Sequence, residues 1–490
     1  MIHRAPAMPG LFLLKGLVFL ISFEPLQSTF PMKKALFFFL LFCFSFSLFA
    51  QDITGQWNGL LKVQQTQLRI VFNITKNGNN YSATMDSPDQ GAKGIPVSAV
   101  SFENNELKIT ADKMKLEYSG TLQGDAFNGN FKQGNFSIPM NLSREEVKGE
   151  KTVRPQEPHT PFPYYTEDIF FKNTKANVEL SGTLSLPSKD GKYAVVILIS
   201  GSGPQNRDEE LMGHKPFLVI ADFLTKNGFA VLRYDDRGVA KSTGDFKTAT
   251  SADFAEDVNA AIAFLKTRKE IDPKKIGLMG HSEGGYIAPM VAAQSKEVAF
   301  IIMLAGPGIP CDELLVLQGA LISKASGMKE EEVEQNKKIN QGAYDLVKKA
   351  KSEEQLQNEL TAYFNNNFDE TMGDDKESFV EMQVKQLCSP WMQYFIKYNP
   401  APALEKVHCP VLALNGSNDL QVPPQENIAA IKKALTKAGN KKVTTKIVPN
   451  LNHLFQECKT GLPSEYADIE QTFSSIALNE ILNWLKAQTK

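Results

Sequence analysis

Residues 275–293 read KIGLMGHSEGGYIAPMVAA, and this stretch decides the fold. A short apolar run, typical of a buried strand, leads into Gly280-His281-Ser282-Glu283-Gly284, and residues that favour a helix follow. The glycines two positions before and after Ser282 have no Cβ, so the chain can turn sharply there. We call residues 280–284 the serine turn. It would hold the Ser282 hydroxyl beside a helix N-terminus, which stabilises negative charge and favours a nucleophilic role.

A nucleophilic serine needs a general base, and the base needs an acid that orients it. In strand–turn–helix sites the chain order is serine, acid, histidine. His453 follows the strand-like residues 443–448, and Asp419 follows the strand-like residues 410–414. We therefore predict Ser282, Asp419 and His453 as catalytic residues. The alternatives are a turn-forming role for Asp419 and a surface-loop role for His453, while His281 is expected to pack or hydrogen-bond beneath the serine turn.

Two further motifs precede the serine turn: SGSGPQNRD at residues 200–208 and YDDRGVAKSTG at residues 234–244. Together with the Asp419 and His453 loops, they resemble the bacterial α/β-hydrolases grouped near serine aminopeptidases and prolyl oligopeptidases. The resemblance is strongest to the esterase branch with an SGSGP or HGSGP loop, and it covers about residues 165–490. Many α/β-hydrolases have His-Gly in this loop, where this chain has Ser200-Gly201. This departure weakens a role for the side chain at position 200 and leaves the backbone donors intact.

The resemblance implies a mechanism. The backbone N–H groups of Glu283 and Ser202 are expected to form the oxyanion hole for a tetrahedral intermediate. A plain tight turn is the alternative for the loop that contains Ser202. No metal or cofactor is implied, and the expected partner is a small-molecule ester. Arg237 is expected to pair with an acidic neighbour and brace the oxyanion loop.

Strand-like and helix-like segments alternate from Glu167 onward, which predicts a doubly wound, mostly parallel α/β sheet over residues 167–490. Val178–Pro187 is predicted as an antiparallel lead-in strand. Residues 309–408 interrupt the alternation, because their charged and amphipathic pattern predicts helices. In an α/β-hydrolase this insertion is expected to form a helical cap over the active site, and the alternative is a bundle packed to one side.

A different pattern occupies residues 51–143, where apolar and polar residues alternate between Asn- and Gly-rich turns. This pattern predicts a small antiparallel all-β domain. Its expected role is binding or positioning, including contact with a surface or a carbohydrate, and the alternative is a structural appendage. Residues 144–166 are Pro-rich and predict an extended, semi-rigid linker that few contacts should cross.

The N-terminal residues 1–50 are expected to be removed or never made. Met32 is the predicted start, because Met32-Lys33-Lys34, an apolar run to Phe49 and a small Ala50 form a signal peptide. The mature protein would then be exported to the periplasm or the extracellular space, with no stable membrane span. The alternative is two short membrane anchors, although both runs are shorter than the ~20 residues of a span.

Export would permit disulfides. The cysteines that would remain after cleavage are Cys311, Cys388, Cys409 and Cys458. A disulfide between Cys409 and Cys458 could link the loop of Asp419 to the loop of His453. The sequence does not choose among the three pairings.

The charge distribution excludes one class of partner. The formal net charge is −2 and no basic patch occurs, which argues against nucleic-acid binding. The predicted function is an exported carboxylesterase that acts through an acyl-enzyme. One alternative is a serine peptidase of the aminopeptidase or prolyl-peptidase type, which would need acidic groups in the cap for a free amino terminus. The other is a non-catalytic lipid- or carbohydrate-binding protein.

Overall fold

The computed structural model of the chain describes residues 52–63, 66–78, 80–88, 92–134, 136–147, 154–368 and 375–490. The predicted signal peptide and its cleavage site lie outside these residues. Two separate β-sheets occupy the described parts, one before residue 144 and one after residue 164. No helix in the described ranges is long and apolar enough to cross a membrane.

The N-terminal sheet is antiparallel throughout. Its strands are β1 (Gly55–Val63), β2 (Thr66–Asn77), β3 (Asn80–Ser87), β4 (Ala92–Pro96), β5 (Ala99–Glu103), β6 (Glu106–Ala111), β7 (Leu116–Gln123), β8 (Ala126–Gln133), β9 (Phe136–Pro139) and β10 (Leu142–Ser143). The order is β4-β3-β2-β1-β10-β8-β7-β6-β5, with β9 beside β8. Alternate side chains point into one core, as Leu107 and Ile109 do from β6. The predicted antiparallel β region is confirmed.

The C-terminal sheet is mixed. Its strands are β11 (Tyr165–Asn173), β12 (Val178–Leu186), β13 (Tyr193–Ile199), β14 (Ala230–Tyr234), β15 (Ile271–His281), β16 (Phe300–Leu304), β17 (Val411–Gly416) and β18 (Val443–Val448). Strands β11 and β12 are antiparallel to their neighbours, and the order β14-β13-β15-β16-β17-β18 is parallel. Strands β14, β16 and β17 are buried along their whole length, as expected where helices cover both faces.

Helices cover the two faces of this sheet. They are α1 (Pro216–Lys226), α2 (Ser251–Lys266), α3 (Glu283–Ala292), α10 (Pro424–Lys437) and α11 (Ser475–Gln488). Helices α1 and α11 bury residues such as Leu224 and Ile481 against one face, whereas α2, α3 and α10 bury residues such as Val258 and Ile431 against the other. The doubly wound α/β fold is therefore confirmed.

A helical insertion separates β16 from β17. It consists of α4 (Cys311–Ala325), α5 (Glu330–Lys349), α6 (Glu353–Asn367), α7 (Asp375–Leu387), α8 (Pro390–Lys397) and α9 (Ala401–Leu404). This cap has its own apolar core, which includes Val347 and Phe364. Leu315 and Trp391 pack against both the cap core and the sheet core, so the cap rests on the sheet domain at these residues.

The C-terminal part of the predicted linker docks on the sheet domain. Arg154 is 6% exposed, and Gln156 accepts hydrogen bonds from the backbone N–H groups of Thr472 and Phe473. The Arg154 guanidinium donates to four backbone carbonyls, those of Met212, Gly213, Ala467 and Ile469. The Pro-rich composition predicted an extended chain, but two long polar side chains find carbonyl and amide partners on the sheet domain.

The possible bridge between Cys409 and Cys458 is not formed, because all four cysteines in the described residues are free thiols. Cys409 precedes the first residue of β17, whereas Cys458 donates to the carbonyl of Asn450, beyond the last residue of β18. The two parallel strands place these thiols at opposite ends, about 20 Å apart at roughly 3.3 Å per residue. A disulfide needs Cα atoms within about 7 Å.

Candidate active site

The serine turn has the backbone geometry that its glycines predict. Ser282 lies between β15 and α3 with φ +51° and ψ −114°, a strained conformation of a kind that clusters at functional sites. A Cβ on Gly280 would lie 1.8 Å from the carbonyl oxygen of Gly284, and one on Gly284 would lie 2.2 Å from that of Ile199. Only glycine fits at both positions, so the turn can hold Ser282 at the end of the strand.

Asp419 and His453 meet at the carboxyl ends of β17 and β18. His453 Nδ1 lies 2.9 Å from Asp419 Oδ2, and both side chains are buried. Asp419 Oδ1 accepts hydrogen bonds of 2.8 Å from the backbone N–H groups of Gln421 and Val422. These bonds fix the carboxylate so that its other oxygen faces the imidazole. Nε2 of His453 is the ring nitrogen left for proton exchange, and no described residue hydrogen-bonds to it.

Residues 200–205, which we call the oxyanion loop, are held by two buried carboxylates. The Gly201 N–H donates to Glu209 Oε1 at 2.7 Å. Ser200 Oγ donates to Asp236 Oδ1 at 2.7 Å, and the Gln205 N–H donates to Asp236 Oδ2 at 3.0 Å. These three bonds fix the path of the loop. The Ser200 side chain, discounted from the sequence, therefore helps to anchor it.

The two predicted oxyanion donors differ in their surroundings. Because the Gly201 N–H is already bound, the next amide along the loop, that of Ser202, is the one available, and no described residue accepts from it. Glu283 is the first residue of α3, where a backbone N–H has no acceptor within the helix. Both N–H groups are thus open to a ligand.

Arg237 pairs with acidic neighbours as expected, but it does not brace the oxyanion loop, and that part of the expectation is wrong. Its guanidinium binds Asp257 through Nε at 2.7 Å and also pairs with Asp253, and both partners lie on α2. Asp236, the preceding residue, anchors the loop instead. Burial raises the pKa of Asp236 well above its usual range, against the lowering effect of its hydrogen bonds from Ser200 and Gln205. The spacing within the turn could not reveal which neighbour each charged side chain meets.

His281 lies beneath the serine turn, where its two ring nitrogens are both bound. Nδ1 lies 3.0 Å from Glu209 Oε1, and Nε2 lies 2.9 Å from the carbonyl oxygen of His453. Burial lowers the pKa of His281, but the charge and hydrogen bond of Glu209, with the His453 carbonyl, raise it by more, so the net shift is upward. With no free ring nitrogen, His281 is not available as the general base.

The side chain of Glu283 connects the serine turn to the cap. Its Oε1 accepts from Ser251 Oγ at 2.5 Å, from Trp391 Nε1 at 2.9 Å and from the Tyr286 hydroxyl at 3.4 Å. Burial raises the pKa of this carboxyl, and the hydrogen bonds lower it by less. The residue beside Ser282 therefore contacts cap helix α8 directly.

Sequence reasoning missed the carboxylates of Glu209 and Glu283 and the anchoring role of Asp236. All three residues lie within or next to the motifs quoted above. The signal that could have identified them is an acidic residue among small and apolar residues. In the described ranges, no group of three or more His, Cys, Asp or Glu side chains is arranged to hold a metal ion.

Comparison with known proteins places this chain among hydrolases. Residues 156–454, which include Ser282, Asp419 and His453, match the X-Pro dipeptidyl-peptidase (S15) family. Esterase EstD of Thermotoga maritima is 24% identical over 361 residues, which cover 72% of this chain and 77% of that protein. An uncharacterised 31.7 kDa protein from the traX-finO intergenic region of Escherichia coli is 25% identical over 250 residues, 50% of this chain and 80% of its own length.

Solved structures show weaker similarity. The Pyrococcus furiosus esterase Pf2001 is 18% identical, covers 66% of this chain and 93% of its own, and has a TM-score of 0.41. The α/β hydrolase GrgF from a Penicillium species is 17% identical over 66% of this chain and 99% of its own, with a TM-score of 0.42. The family match spans most of the sheet domain and the cap, and it contains the serine turn. The chain belongs to the S15 family of the α/β-hydrolase superfamily and is a serine hydrolase.

Proposed function

We propose that this protein is a carboxylesterase that works through an acyl-enzyme. Ser282 Oγ attacks the ester carbonyl, and His453 Nε2 takes the hydroxyl proton and returns it to the leaving alcohol. Asp419 holds the imidazole in the tautomer with hydrogen on Nδ1. The N–H groups of Glu283 and Ser202 stabilise the oxyanion. The observation that carries this proposal is the 2.9 Å hydrogen bond between His453 and Asp419, at the same sheet edge as the strained Ser282 turn.

The acids around the serine turn favour ester substrates over peptides with a free amino terminus. A peptidase of that kind needs an available carboxylate to bind the substrate ammonium group. Glu209 binds His281, Asp236 binds the oxyanion loop, and Glu283 binds Ser251, Tyr286 and Trp391. At the start of the cap, Asp312 pairs with Lys348 at 2.6 Å. These four carboxylates all have partners within the protein. The name of the relative EstD agrees with an esterase, whereas the family description supports the peptidase alternative.

A substrate panel tests this proposal. The purified protein should hydrolyse 4-nitrophenyl acyl esters with a higher kcat/KM than Xaa-Pro 4-nitroanilides. Ser282→Ala should lower kcat on the esters by about 10⁴-fold or more, because the nucleophile is lost. Faster cleavage of the anilides would favour the dipeptidyl-peptidase alternative.

We further propose that the protein is exported after cleavage between Ala50 and Gln51, from a start at Met32. The basic and apolar run of residues 32–49 supports this proposal. Mass spectrometry of the protein from the periplasm or the medium of its host should find Gln51 at the N-terminus. Recovery of the uncleaved chain in the membrane fraction would favour the two-anchor alternative.

The N-terminal β region is proposed as a binding module for a surface or a carbohydrate. Trp57 does not provide the stacking platform that sugars often use, because its ring is buried and covered by the Arg144 guanidinium at 3.9 Å. Co-sedimentation of the full chain with insoluble polysaccharides tests the proposal. Equal recovery of the chain with and without residues 51–143 would contradict it.

A further inference from the structure

The cap contains a cavity that the mechanism above does not use. It lies among α4, α5, α6, α7 and α8, has a volume of about 330 Å³ and is partly open to solvent. Leu315 and Met392 line it. Leu315 packs against both the cap core and the sheet core, and Met392 follows Trp391, whose indole binds Glu283 beside Ser282. Helix α8 therefore contributes one residue to the cavity lining and another to the contact with the serine turn.

The cavity lining combines polar and apolar residues and carries no charged side chain. Among the described residues that line it there is no Asp, Glu, Lys, Arg or His. Gln318, Asn340, Gln383 and Gln386 contribute side-chain amides, and no hydrogen bond joins these amides to another described residue. Tyr344 adds an aromatic ring, and burial raises the pKa of its hydroxyl to about 12, so it stays neutral. Apolar residues, among them Phe364, form the rest of the surface.

The lining favours one chemical class of bound group. A purely apolar group would displace water from the four amides without replacing its hydrogen bonds, which is unfavourable. A charged group would lose hydration and meet no opposite charge. A neutral group that combines a hydrocarbon chain with amide or hydroxyl groups avoids both costs.

We propose that the cap cavity binds an uncharged, hydrogen-bonding group of the substrate, so that the preferred ester carries an amide or hydroxyl substituent on its acyl or alcohol side. This inference rests on the proposed esterase function and adds its substrate class. It also distinguishes the cavity from a pocket for a free amino terminus, which would need a carboxylate.

Gly319 offers a way to fill the cavity. It lies in the middle of α4 and lines the cavity, and a Cβ placed on it would have only the Asn340 side-chain nitrogen, at 3.8 Å, within 4 Å. A phenylalanine at this position would therefore project into the empty space. Ala325, at the exposed last position of the same helix, provides the matched control.

The experiment compares neutral and cationic esters of equal length in two arms. The acyl arm uses 4-nitrophenyl 6-acetamidohexanoate and 4-nitrophenyl 6-(trimethylammonio)hexanoate. The alcohol arm uses the acetate esters of 6-acetamidohexanol and 6-(trimethylammonio)hexanol. The measured quantity is the ratio of kcat/KM for the neutral ester to that for the cationic ester in the full chain.

We expect a ratio of about tenfold or more in one arm, which identifies the side of the ester that the cavity holds. Gly319→Phe should bring that ratio close to one, and Ala325→Phe should keep it. The double substitution Gln318→Leu with Gln383→Leu, which leaves the cavity open, should also lower the ratio. It keeps the test valid if Gly319→Phe fails to fold.

Two results would overturn the inference: no preference for the neutral ester in either arm, or a preference that persists in the folded cavity variants. Ser282→Ala is measured in parallel on 4-nitrophenyl acetate. If that variant kept its activity, the proposed esterase mechanism would fail by itself, whatever the cavity variants do.

Discussion

At the scale of single residues, two pairs of a histidine and a carboxylate lie side by side near Ser282. The rings of His281 and His453 are 4.8 Å apart between centroids. His453 binds Asp419 and keeps one ring nitrogen free, whereas His281 binds Glu209 and the His453 backbone. Because Glu209 also accepts from Gly201, the second pair connects the oxyanion loop to the loop of the base.

Removing Glu209 should therefore disturb catalysis more than binding. Glu209→Ala leaves the Gly201 N–H without an acceptor, so the Ser202 amide loses its fixed position. We expect kcat on a short acyl ester to fall by about 10²-fold with KM little changed, a loss similar to that of one oxyanion donor. Glu209→Gln retains a carbonyl oxygen for Gly201 and should recover most of the rate. Equal kcat values for the alanine variant and the native chain would contradict this role.

The pair of His281 and Glu209 predicts how the stability of the fold depends on pH. The pKa of His281 is raised in the folded state, so its stabilising effect is complete below about pH 6.5 and is lost as pH rises through the folded value. Burial raises the pKa of Asp236 and Glu283, and these acids also make the fold less stable as pH rises. Because burial lowers the pKa of His214 to about 4, that residue adds the opposite slope below about pH 6.5. We therefore expect Tm to decrease from pH 7 to pH 9, with a shallower slope for Glu209→Gln. A Tm that rises over this range would contradict the predicted direction of the pH dependence.

Spacing and order along the chain were enough to nominate Ser282, Asp419 and His453, because strand ends and glycines mark such positions locally. The partners of Glu209 and Arg237 were not predictable in the same way. Glu209 meets His281 across 72 positions of sequence, and Arg237 meets helix α2 rather than the oxyanion loop. Such contacts depend on how the elements pack.

At the scale of elements, helix α8 connects the cap to the serine turn. Trp391 Nε1 donates to Glu283, and the Trp391 ring stacks on Phe395 with centroids 5.1 Å apart. Tyr286 of α3 packs against Phe395 and Tyr398. This end of the cap is therefore held by aromatic contacts and by one hydrogen bond to a buried carboxyl.

Trp391→Phe should weaken the attachment of the cap to the serine turn. The substitution keeps an aromatic ring but removes the donor to Glu283, which should cost about 1 kcal/mol of stability. We expect faster limited proteolysis within the cap, measured by the rate at which fragments cut between residues 326 and 389 appear. Trp484→Phe is the matched control, because the Trp484 indole donates to Thr444 on β18, away from the cap. Identical cleavage of the two variants would contradict the role of Trp391.

Apolar runs predicted the parallel strands well, because strands buried on both faces contain little else. Strand β11 was not predicted, since it lies at the edge of the sheet and begins within the region assigned to the linker. Its side chains alternate, with Phe171 buried and Phe170 exposed, so it lacks the continuous apolar signal of the central strands.

At the scale of the whole molecule, the segment before β11 is part of the sheet domain. Arg154 and Gln156 bind backbone groups of residues 467–473 from the C-terminal part of the chain. This docking was not predictable from the sequence, because its partners are backbone groups that any sequence could offer. A shortened protein should therefore begin before Arg154.

Two truncations test this boundary. A protein that begins at residue 151 keeps Arg154 and Gln156, and we expect it to retain kcat on 4-nitrophenyl acetate and a high Tm. A protein that begins at Glu167 loses both side chains and the first residues of β11, and we expect a Tm lower by several degrees. Equal Tm values for the two proteins would show that the docked segment adds no stability.

The central claim is that Ser282 is the nucleophile of a serine hydrolase. It is tested most directly by treating the full chain with a fluorophosphonate, which phosphonylates an activated serine, and locating the adduct by peptide mass spectrometry. We predict a single adduct on Ser282, absent in Ser282→Ala and strongly slowed in His453→Ala. An adduct on another residue, or none in a protein that still hydrolyses esters, would contradict the account.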